Sequence, residues 1–216
     1  MRSFGPGDLL FIIEAARWTL ALSAIAFAGG AVLGLLVALA RTGGFAPLRY
    51  LTIGYIRLIQ GTPLLMQLFL AFFGPNILGV SVNPWTAAAL GLIVNASAFL
   101  GEIWRGCIEA VPRGQWEAAT ALGLRYSKRM RFVILPQALR IALPPTVGFL
   151  VQLIKATSLA SIIGFVELTR AAQVVNNATF RPFLIFGVVA VLYFVMCWPL
   201  SLYSRRMEQR LAAAGR

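Results

Sequence analysis

The sequence predicts an all-α integral membrane protein with five transmembrane helices and one short helix on the cytoplasmic side. Hydrophobic residues make up 59% of the 216 residues and charged residues only 12%, and the mean hydropathy is +0.81. A chain of this composition cannot cover its apolar surface in water. Its apolar stretches are long rather than alternating, so in a bilayer they form helices that pair their own backbone amides, not a β-barrel.

Five apolar stretches are long enough to cross the hydrocarbon core, which takes about 20 helical residues. The second ends at the turn-forming Gly74-Pro75-Asn76. The fourth contains Pro136, Pro144 and Pro145, which membrane helices tolerate when neighbouring groups satisfy the freed backbone. No composition break divides the chain, so residues 1–216 form one transmembrane domain. The predicted spans are 19–40, 56–73, 85–103, 132–153 and 183–203.

The first span could instead be a secretory signal peptide, because Ala26-Phe27-Ala28 imitates a cleavage site. However, Asp8 and Glu14 precede it, whereas a signal peptide begins with basic residues, and further spans follow. We therefore predict that 19–40 spans the membrane and that residues 8–18 form a short interfacial helix before it.

The chain has 19 Lys and Arg against 7 Asp and Glu, a formal net charge of +12. In a soluble domain this charge would indicate nucleic-acid binding. Here the basic residues cluster after the first, third and fifth spans, as in loops that stay in the cytoplasm, whereas the turn at 74–84 is uncharged. We therefore expect no nucleic-acid partner, an N-terminus outside the cell and a C-terminus in the cytoplasm.

Catalytic chemistry has little support in this sequence. There is no histidine, which excludes a Ser-His hydrolase and a His-ligated zinc site. Cys107 and Cys197 are isolated from each other and suggest neither a metal nor a redox pair. No carboxylates are grouped, and no nucleophile stands beside a base. We therefore expect no catalytic residue and no metal site.

The most polar segment of the chain lies between the third and fourth spans and predicts a helix over about 113–124. Pro112 suits the first turn of a helix, and Glu117 lies near the positive end of the helix dipole. Gly123 can adopt the left-handed conformation that ends a helix. Small residues on one face would let another protein approach closely, so we predict a docking helix.

The spacing in this segment resembles the coupling-loop signature of permease subunits of bacterial ABC importers. Glu-Ala-Ala is followed by three residues, Gly, nine residues, an aliphatic residue, one residue and Leu-Pro. Val133 stands where isoleucine is usual, a conservative departure. The resemblance assigns ATPase coupling to Glu117, Ala118, Ala119, Gly123, Leu135 and Pro136.

Three further motifs, at 57–65, 98–106 and 155–159, resemble the polar amino-acid branch of these permeases, the His/Arg/Gln/Glu type. The resemblance covers nearly the whole chain from about residue 19 onward. Many such permeases have Asp or Asn where this chain has Ala156, so that position does not indicate which amino acid is carried.

The resemblance implies a type I ABC importer permease fold in the bacterial cytoplasmic (inner) membrane, surrounded by lipid. It also implies three kinds of partner: a second permease subunit, identical or similar, two cytoplasmic ATPase subunits and an extracytoplasmic solute-binding protein. Lys128 and Lys155 are the only lysines and neither follows a glycine, so this chain cannot form a phosphate-binding P-loop. We expect no cofactor in this chain, and ATP and Mg on the partner subunits. Glu117 would pair with an ATPase arginine or simply stabilise the helix dipole.

Polar residues at membrane depth are costly and tend to face a cavity or a partner. Asn95, Phe99 and Glu102 recur at helical spacing on one face of the third span, and are the first candidates for lining the solute path. The alternative is structural: an interhelical hydrogen bond for Asn95, and an ion pair of Glu102 with Arg105 or Arg57.

Second-line candidates for the solute or the gate are polar residues on or beside other spans: Gln67, Gln152, Ser158 and Glu167. Each also has a structural alternative. Glu167 and Arg170 are three residues apart and would neutralise each other on a helix. An amino-acid substrate needs acceptors for its ammonium group and donors for its carboxylate, and the chain offers both.

A self-contained channel or gradient-driven carrier for a small polar solute is the alternative function. Transport by vesicles that contain only this chain would distinguish it from an importer subunit. The sequence leaves open which amino acid is carried and whether the second permease subunit is a copy.

Overall fold

A computed structural model describes residues 2–214, and all regular secondary structure in that range is helical. Besides α-helices, the chain has a π-helical turn at Met130–Ile134 and a 3-10 turn at Thr157–Ser161. The helices are α1 (Pro6–Thr42), α2 (Ala46–Gln60), α3 (Leu64–Ile77), α4 (Pro84–Glu109), α5 (Arg113–Ala121), α6 (Tyr126–Arg129), α7 (Leu135–Ala156), α8 (Leu168–Thr179) and α9 (Pro182–Ala214).

Four helical segments within the described residues are long and apolar enough to cross a membrane: α1, α4, the run Tyr126–Ser161 and α9. The pair α2 and α3 also qualifies when the two helices are taken together, although they are bent by 99°. Counting that pair as one broken span gives five spans. The fold is therefore the all-α membrane architecture that the composition predicts.

The first span is longer than predicted, because α1 runs without interruption from Pro6 to Thr42. The separate interfacial helix expected at residues 8–18 is wrong. Nothing between those residues and the span breaks a helix, and buried side chains such as Ile12 and Thr19 continue the packed face of α1. The oxygen Oδ2 of Asp8 accepts a hydrogen bond from the backbone amide of Gly5 (3.0 Å), which caps the start of the helix.

The second predicted span, 56–73, is divided in the structure by the bend between α2 and α3. Pro63 has no amide hydrogen to continue the helix, and its ring disfavours helical geometry at Thr62. The break leaves backbone carbonyls without helical partners. The side-chain Nε2 of Gln67 donates to two of these, the oxygens of Ile59 (2.7 Å) and Thr62 (3.1 Å), and so stabilises the bend.

Helix α4 lies at the centre of the bundle, in contact with α1, α2, α3 and α7. Its packing on α1 depends on glycines. A Cβ atom at Gly30 would lie 2.4 Å from the Cβ of Ala96, and one at Gly34 would lie 3.0 Å from the Cβ of Leu100. Only a hydrogen fits at these two positions, so the glycines allow the backbones of α1 and α4 to approach closely.

The fourth span starts before the predicted range 132–153, because helical structure continues through the π-turn from Tyr126. The amide of Leu135 donates to the carbonyl of Met130, five residues back, instead of four. The next residue, Pro136, has no amide hydrogen and cannot donate to the preceding turn. One helical hydrogen bond is therefore absent at this point whatever the turn, and the wider π-turn occurs there.

Candidate functional site

The short helix α5 is attached to the bundle by one face only. Ala119 is 2% exposed, and Trp116 packs against a buried cluster that includes Ile108 of α4 and Ala138 of α7. The opposite face points away from the bundle. We call it the docking face, and its exposed residues are Glu117, Ala118, Leu122 and Gly123.

The end of α5 is shaped by Gly123, whose φ of 69° lies in the left-handed region. The amide of Gly123 donates to the carbonyl of Thr120 (2.9 Å), and the amide of Leu124 donates to that of Ala119 (3.2 Å). This is the Schellman arrangement that ends a helix. It turns the chain sharply and leaves the side chain of Leu122 78% exposed on the docking face.

The six residues of the coupling signature do not share one surface. Glu117, Ala118 and Gly123 are exposed, whereas Ala119 is on the buried face of α5. Leu135, the first residue of α7, is partly buried against the cluster that contacts Trp116, and Pro136 is the next residue of α7. The structure therefore separates residues that could touch a partner from residues that hold α5 to the spans.

Contacts that the sequence did not reveal join α5 to α6, and join these two helices to α1 and α7. Arg129 of α6 lies over the ring of Trp116 (5.5 Å to its centroid) and donates to Thr120 Oγ1 (2.6 Å). The hydroxyl of Tyr126 donates to the carbonyl of Thr42 at the end of α1 (2.9 Å). In addition, Gln137 Nε2 of α7 donates to Gln115 Oε1 of α5 (3.2 Å). A displacement of α5 would therefore be carried to α1 and α7.

Among the predicted path residues, Asn95 is enclosed: it is 8% exposed, and its Nδ2 donates to Oε1 of Gln67 (3.1 Å). This matches the interhelical hydrogen bond considered as its structural alternative. Phe99, one turn further along α4, stacks on Phe149 of α7 with ring centroids 5.8 Å apart. These contacts fasten α4 to α3 and to α7.

Phe99 and Glu102 line an open cavity of about 470 Å³ between α4, the end of α2 and α7. Gln60 and Pro145 also line it, and Gln60 lies directly before the bend. No pattern in the sequence indicated Gln60, because its approach to α4 depends on the direction that α2 takes. Two candidates from the third span, Phe99 and Glu102, therefore face open space in this cavity.

Glu102 is held by arginines. Its Oε2 accepts a hydrogen bond from Arg105 Nε (3.0 Å) and lies 3.7 Å from Arg41 Nη2. Arg105 also pairs with Glu109, one turn along α4. The expected ion pair with Arg105 is therefore present, whereas Arg57 forms no ion pair with Glu102 among the described residues. Arg41, from the end of the first span, takes that place.

Two of the second-line candidates lie away from this cavity. Gln152 is exposed on α7. Ser158 lies in the 3-10 turn and donates its hydroxyl hydrogen to the carbonyl of Lys155 (2.7 Å). Neither lines the cavity beside Phe99 and Glu102.

Glu167 caps the start of α8 and is fully buried. Its carboxylate accepts hydrogen bonds from the backbone amides of Thr169 (2.9 Å) and Arg170 (2.8 Å) and from the hydroxyl of Tyr193 (3.0 Å). The predicted ion pair with Arg170 is wrong, because the guanidinium of Arg170 turns to Gln173 (3.2 Å). Burial raises the pKa of the Glu167 carboxyl, and the hydrogen bonds from Thr169, Arg170 and Tyr193 oppose that rise.

The helical membrane fold with the exposed helix α5 is typical of membrane transport components, and comparisons with known proteins place the chain in that class. The chain belongs to the family of binding-protein-dependent transport system inner membrane components, whose model matches residues 30–213. It is a multi-pass membrane permease.

Relatives of known families match over most of the chain. The probable amino-acid ABC transporter permease protein YckA of Bacillus subtilis (strain 168) is 37% identical over 94% of this chain and 89% of its own length. The L-cystine transport system permease protein TcyB of the same organism is 38% identical over 90% of this chain and 83% of its own length. The glutamine transport system permease protein GlnP of Escherichia coli (strain K12) is 38% identical over 93% of this chain and 92% of its own length.

Solved structures share the fold. A chain from the crystal structure of an amino acid ABC transporter with histidines superimposes with a TM-score of 0.88 at 36% identity, covering 93% of this chain and 94% of that chain. A chain of the MetNI methionine ABC transporter in an inward-facing conformation gives a TM-score of 0.80 at 20% identity, covering 96% and 99%, which shows the common fold alone. The chain thus has the type I ABC importer permease fold.

Proposed function

We propose that this chain is the transmembrane subunit of an ATP-binding-cassette importer that carries a polar amino acid across the bacterial inner membrane. The observation that carries the proposal is α5: its docking face is exposed, while Trp116 on the other face packs against a cluster that includes residues of α4 and α7. A helix exposed on one face and bound to the spans on the other suits the transfer of movement from a partner. The amino-acid substrate is supported by relatives that are named as glutamine and L-cystine permeases.

The partners follow from the same proposal. A second permease subunit, identical or similar, completes the path, two cytoplasmic ATPase subunits bind the docking faces, and an extracytoplasmic binding protein delivers the solute. ATP and Mg are bound by the ATPase subunits, which perform the hydrolysis. The N-terminus lies outside the cell and the C-terminus in the cytoplasm, so that α5 and the basic residues near the C-terminal ends of α1, α4 and α9 face the ATPase.

Movement passes from α5 to the spans as a rigid-body displacement. When the ATPase subunits close on ATP, they shift the docking face, with Glu117 the candidate for pairing with an ATPase arginine. Trp116 carries the shift to α4 and α7, and the hydrogen bond from Tyr126 to Thr42 carries it to α1. The path then opens on alternate sides of the membrane.

For the solute path we propose the cavity that Phe99, Glu102 and Gln60 line. Asn95 and Gln67 hold the wall of this path by fixing the bend to α4, and need not touch the solute. Gln152, Ser158 and Glu167 lie outside this cavity, and we assign them no contact with the solute here.

The test is ATPase activity of the reconstituted complex in proteoliposomes, with and without loaded binding protein. Glu117→Arg and Gly123→Val should abolish the stimulation by binding protein while the chain remains in the membrane. The matched controls are Glu208→Arg, on the exposed end of α9, and Gly54→Val on α2, where a Cβ atom meets no atom within 4 Å. If both docking variants keep full stimulation, the coupling role is wrong. Uptake by vesicles that contain only this chain would instead establish the carrier alternative.

A further inference from the structure

A polar cavity of about 460 Å³ lies where α1 and α4 end, between the start of α2 and the helix α5. It is lined by arginines from three of these elements, Arg41, Arg49 and Arg105, together with Glu109 and Trp116. We call it the arginine cavity. It is distinct from the proposed solute path, because Arg105 is the one residue that lines both cavities among the described residues.

The positive charges of the arginine cavity are not fully compensated. Arg105 pairs with Glu102 and Glu109, and Arg41 reaches only Glu102, at 3.7 Å. The Nε of Arg41 is buried and has no hydrogen-bond partner within the described part of the chain. Arg49 is exposed and forms no ion pair with any residue in 2–214. Three arginines therefore face two carboxylates, and an anion would balance the remaining positive charge.

An apolar groove joins the arginine cavity at Gly43, which lines both. The groove has a volume of about 510 Å³ and runs between α1 and α2, where Leu36, Leu39, Phe45 and Leu48 line it. A free inorganic anion would not contact the apolar side chains of this groove. A molecule with an anionic head and a hydrocarbon tail fits both parts together.

We infer that the arginine cavity and the adjoining groove bind an anionic phospholipid, with the phosphate of the headgroup between Arg41 and Arg49 and an acyl chain along the groove. The spans α1 and α4 end here, which places the cavity at the depth of lipid headgroups. In the proposed orientation this is the cytoplasmic leaflet, where anionic lipids and basic pockets between spans meet. The lipid would touch Trp116 and so stabilise the position of α5.

Binding is measured on the full-length chain in detergent by native mass spectrometry, with phosphatidylglycerol and phosphatidylcholine as probes. We expect retention of phosphatidylglycerol over phosphatidylcholine. Arg49→Gln should weaken phosphatidylglycerol binding by about fivefold, the effect of one basic side chain beside an anionic lipid surface, and Arg41→Gln should weaken it at least as much. Arg17→Gln, an exposed arginine near the opposite end of α1, is the matched control and should leave binding unchanged.

Three results would overturn the inference: equal retention of the two lipids, unchanged binding in both Arg41→Gln and Arg49→Gln, or an equal loss in Arg17→Gln. A competition with inorganic phosphate separates a lipid from a free anion, because phosphate that displaces the lipid at equal concentration would show that the groove contributes nothing. Arg49 lies on the surface, so its variant keeps the test valid if Arg41→Gln fails to fold. No step of this measurement requires transport, so its outcome is independent of the proposed function.

Discussion

Asn95 donates a hydrogen bond from its Nδ2 to Oε1 of Gln67 over 3.1 Å, joining the central span α4 to the helix that follows the bend. The amide nitrogen of Gln67 donates in turn to the carbonyls of Ile59 and Thr62 and to the hydroxyl oxygen of Thr62 (3.0 Å). One glutamine therefore satisfies the broken backbone of the second span and fastens it to the core.

Replacing Gln67 should destabilise the protein more than replacing Asn95. Gln67→Leu leaves the carbonyls at the bend and the Asn95 amide without partners, and we expect a loss of roughly 2 kcal/mol of unfolding free energy. Asn95→Leu removes one interhelical hydrogen bond and should cost about 1 kcal/mol. Denaturant titration in detergent measures both.

Gln152→Leu serves as the control for these variants, because Gln152 is exposed on α7. It should leave the free energy of unfolding nearly unchanged. A larger loss for Asn95→Leu than for Gln67→Leu would show that the bend does not depend on Gln67.

Two glycine-to-alanine variants should differ in their effect on stability, and only one of them should be destabilising. At Gly30 the new Cβ would lie 2.4 Å from the Cβ of Ala96, so Gly30→Ala should push α1 and α4 apart and cost about 1–3 kcal/mol. At Gly54 on α2 a Cβ meets no atom within 4 Å. There the better helix propensity of alanine should leave stability unchanged or raise it by up to about 1 kcal/mol.

Thermal unfolding of the purified chain distinguishes the two glycine variants. Equal midpoints for Gly30→Ala and Gly54→Ala would contradict the close contact between α1 and α4.

Glu167 should contribute as a helix cap and not as a partner of Arg170. Glu167→Ala removes the acceptor for two backbone amides and for the Tyr193 hydroxyl, and we expect a loss of about 1–2 kcal/mol. Arg170→Ala should cost much less, because its guanidinium contacts Gln173 and not the carboxylate. If thermal unfolding shows equal losses for both variants, the ion pair that the spacing suggested is present after all.

The left-handed residue that ends α5 should be intolerant of a side chain. With a φ of 69° at this position, Gly123→Ala costs about 1–2 kcal/mol of local strain. We expect faster hydrogen exchange at the amides of Gly123 and Leu124, which donate to Thr120 and Ala119. Gly114→Ala is the matched control on the same helix, because a Cβ there meets no atom within 4 Å.

Unchanged exchange at those two amides in Gly123→Ala would show that the Schellman arrangement does not hold the end of α5. Exchange in Gly114→Ala should equal that of the unchanged chain or be slower, since alanine favours the helix.

The membrane character of the chain and the existence of α5 followed from the sequence, because both depend on local properties. Hydropathy adds up residue by residue along a span, and the end of α5 follows from a glycine at the right place. The continuity of α1 could not be seen from local polarity. Asp8 and Glu14 are polar, but a polar residue does not interrupt a helix as a proline does.

The contacts across the bundle could only be seen in the tertiary structure. The sequence placed Glu102 within reach of Arg105, three residues away, but not of Arg41, which reaches it because α1 packs directly on α4. Likewise the spacing of Glu167 and Arg170 permitted an ion pair, and the burial of Glu167 at the start of α8 determined that backbone amides bind it instead. Composition determines that helices cross the membrane, whereas their rotation and depth, set by packing at residues such as Gly30, determine which polar groups meet.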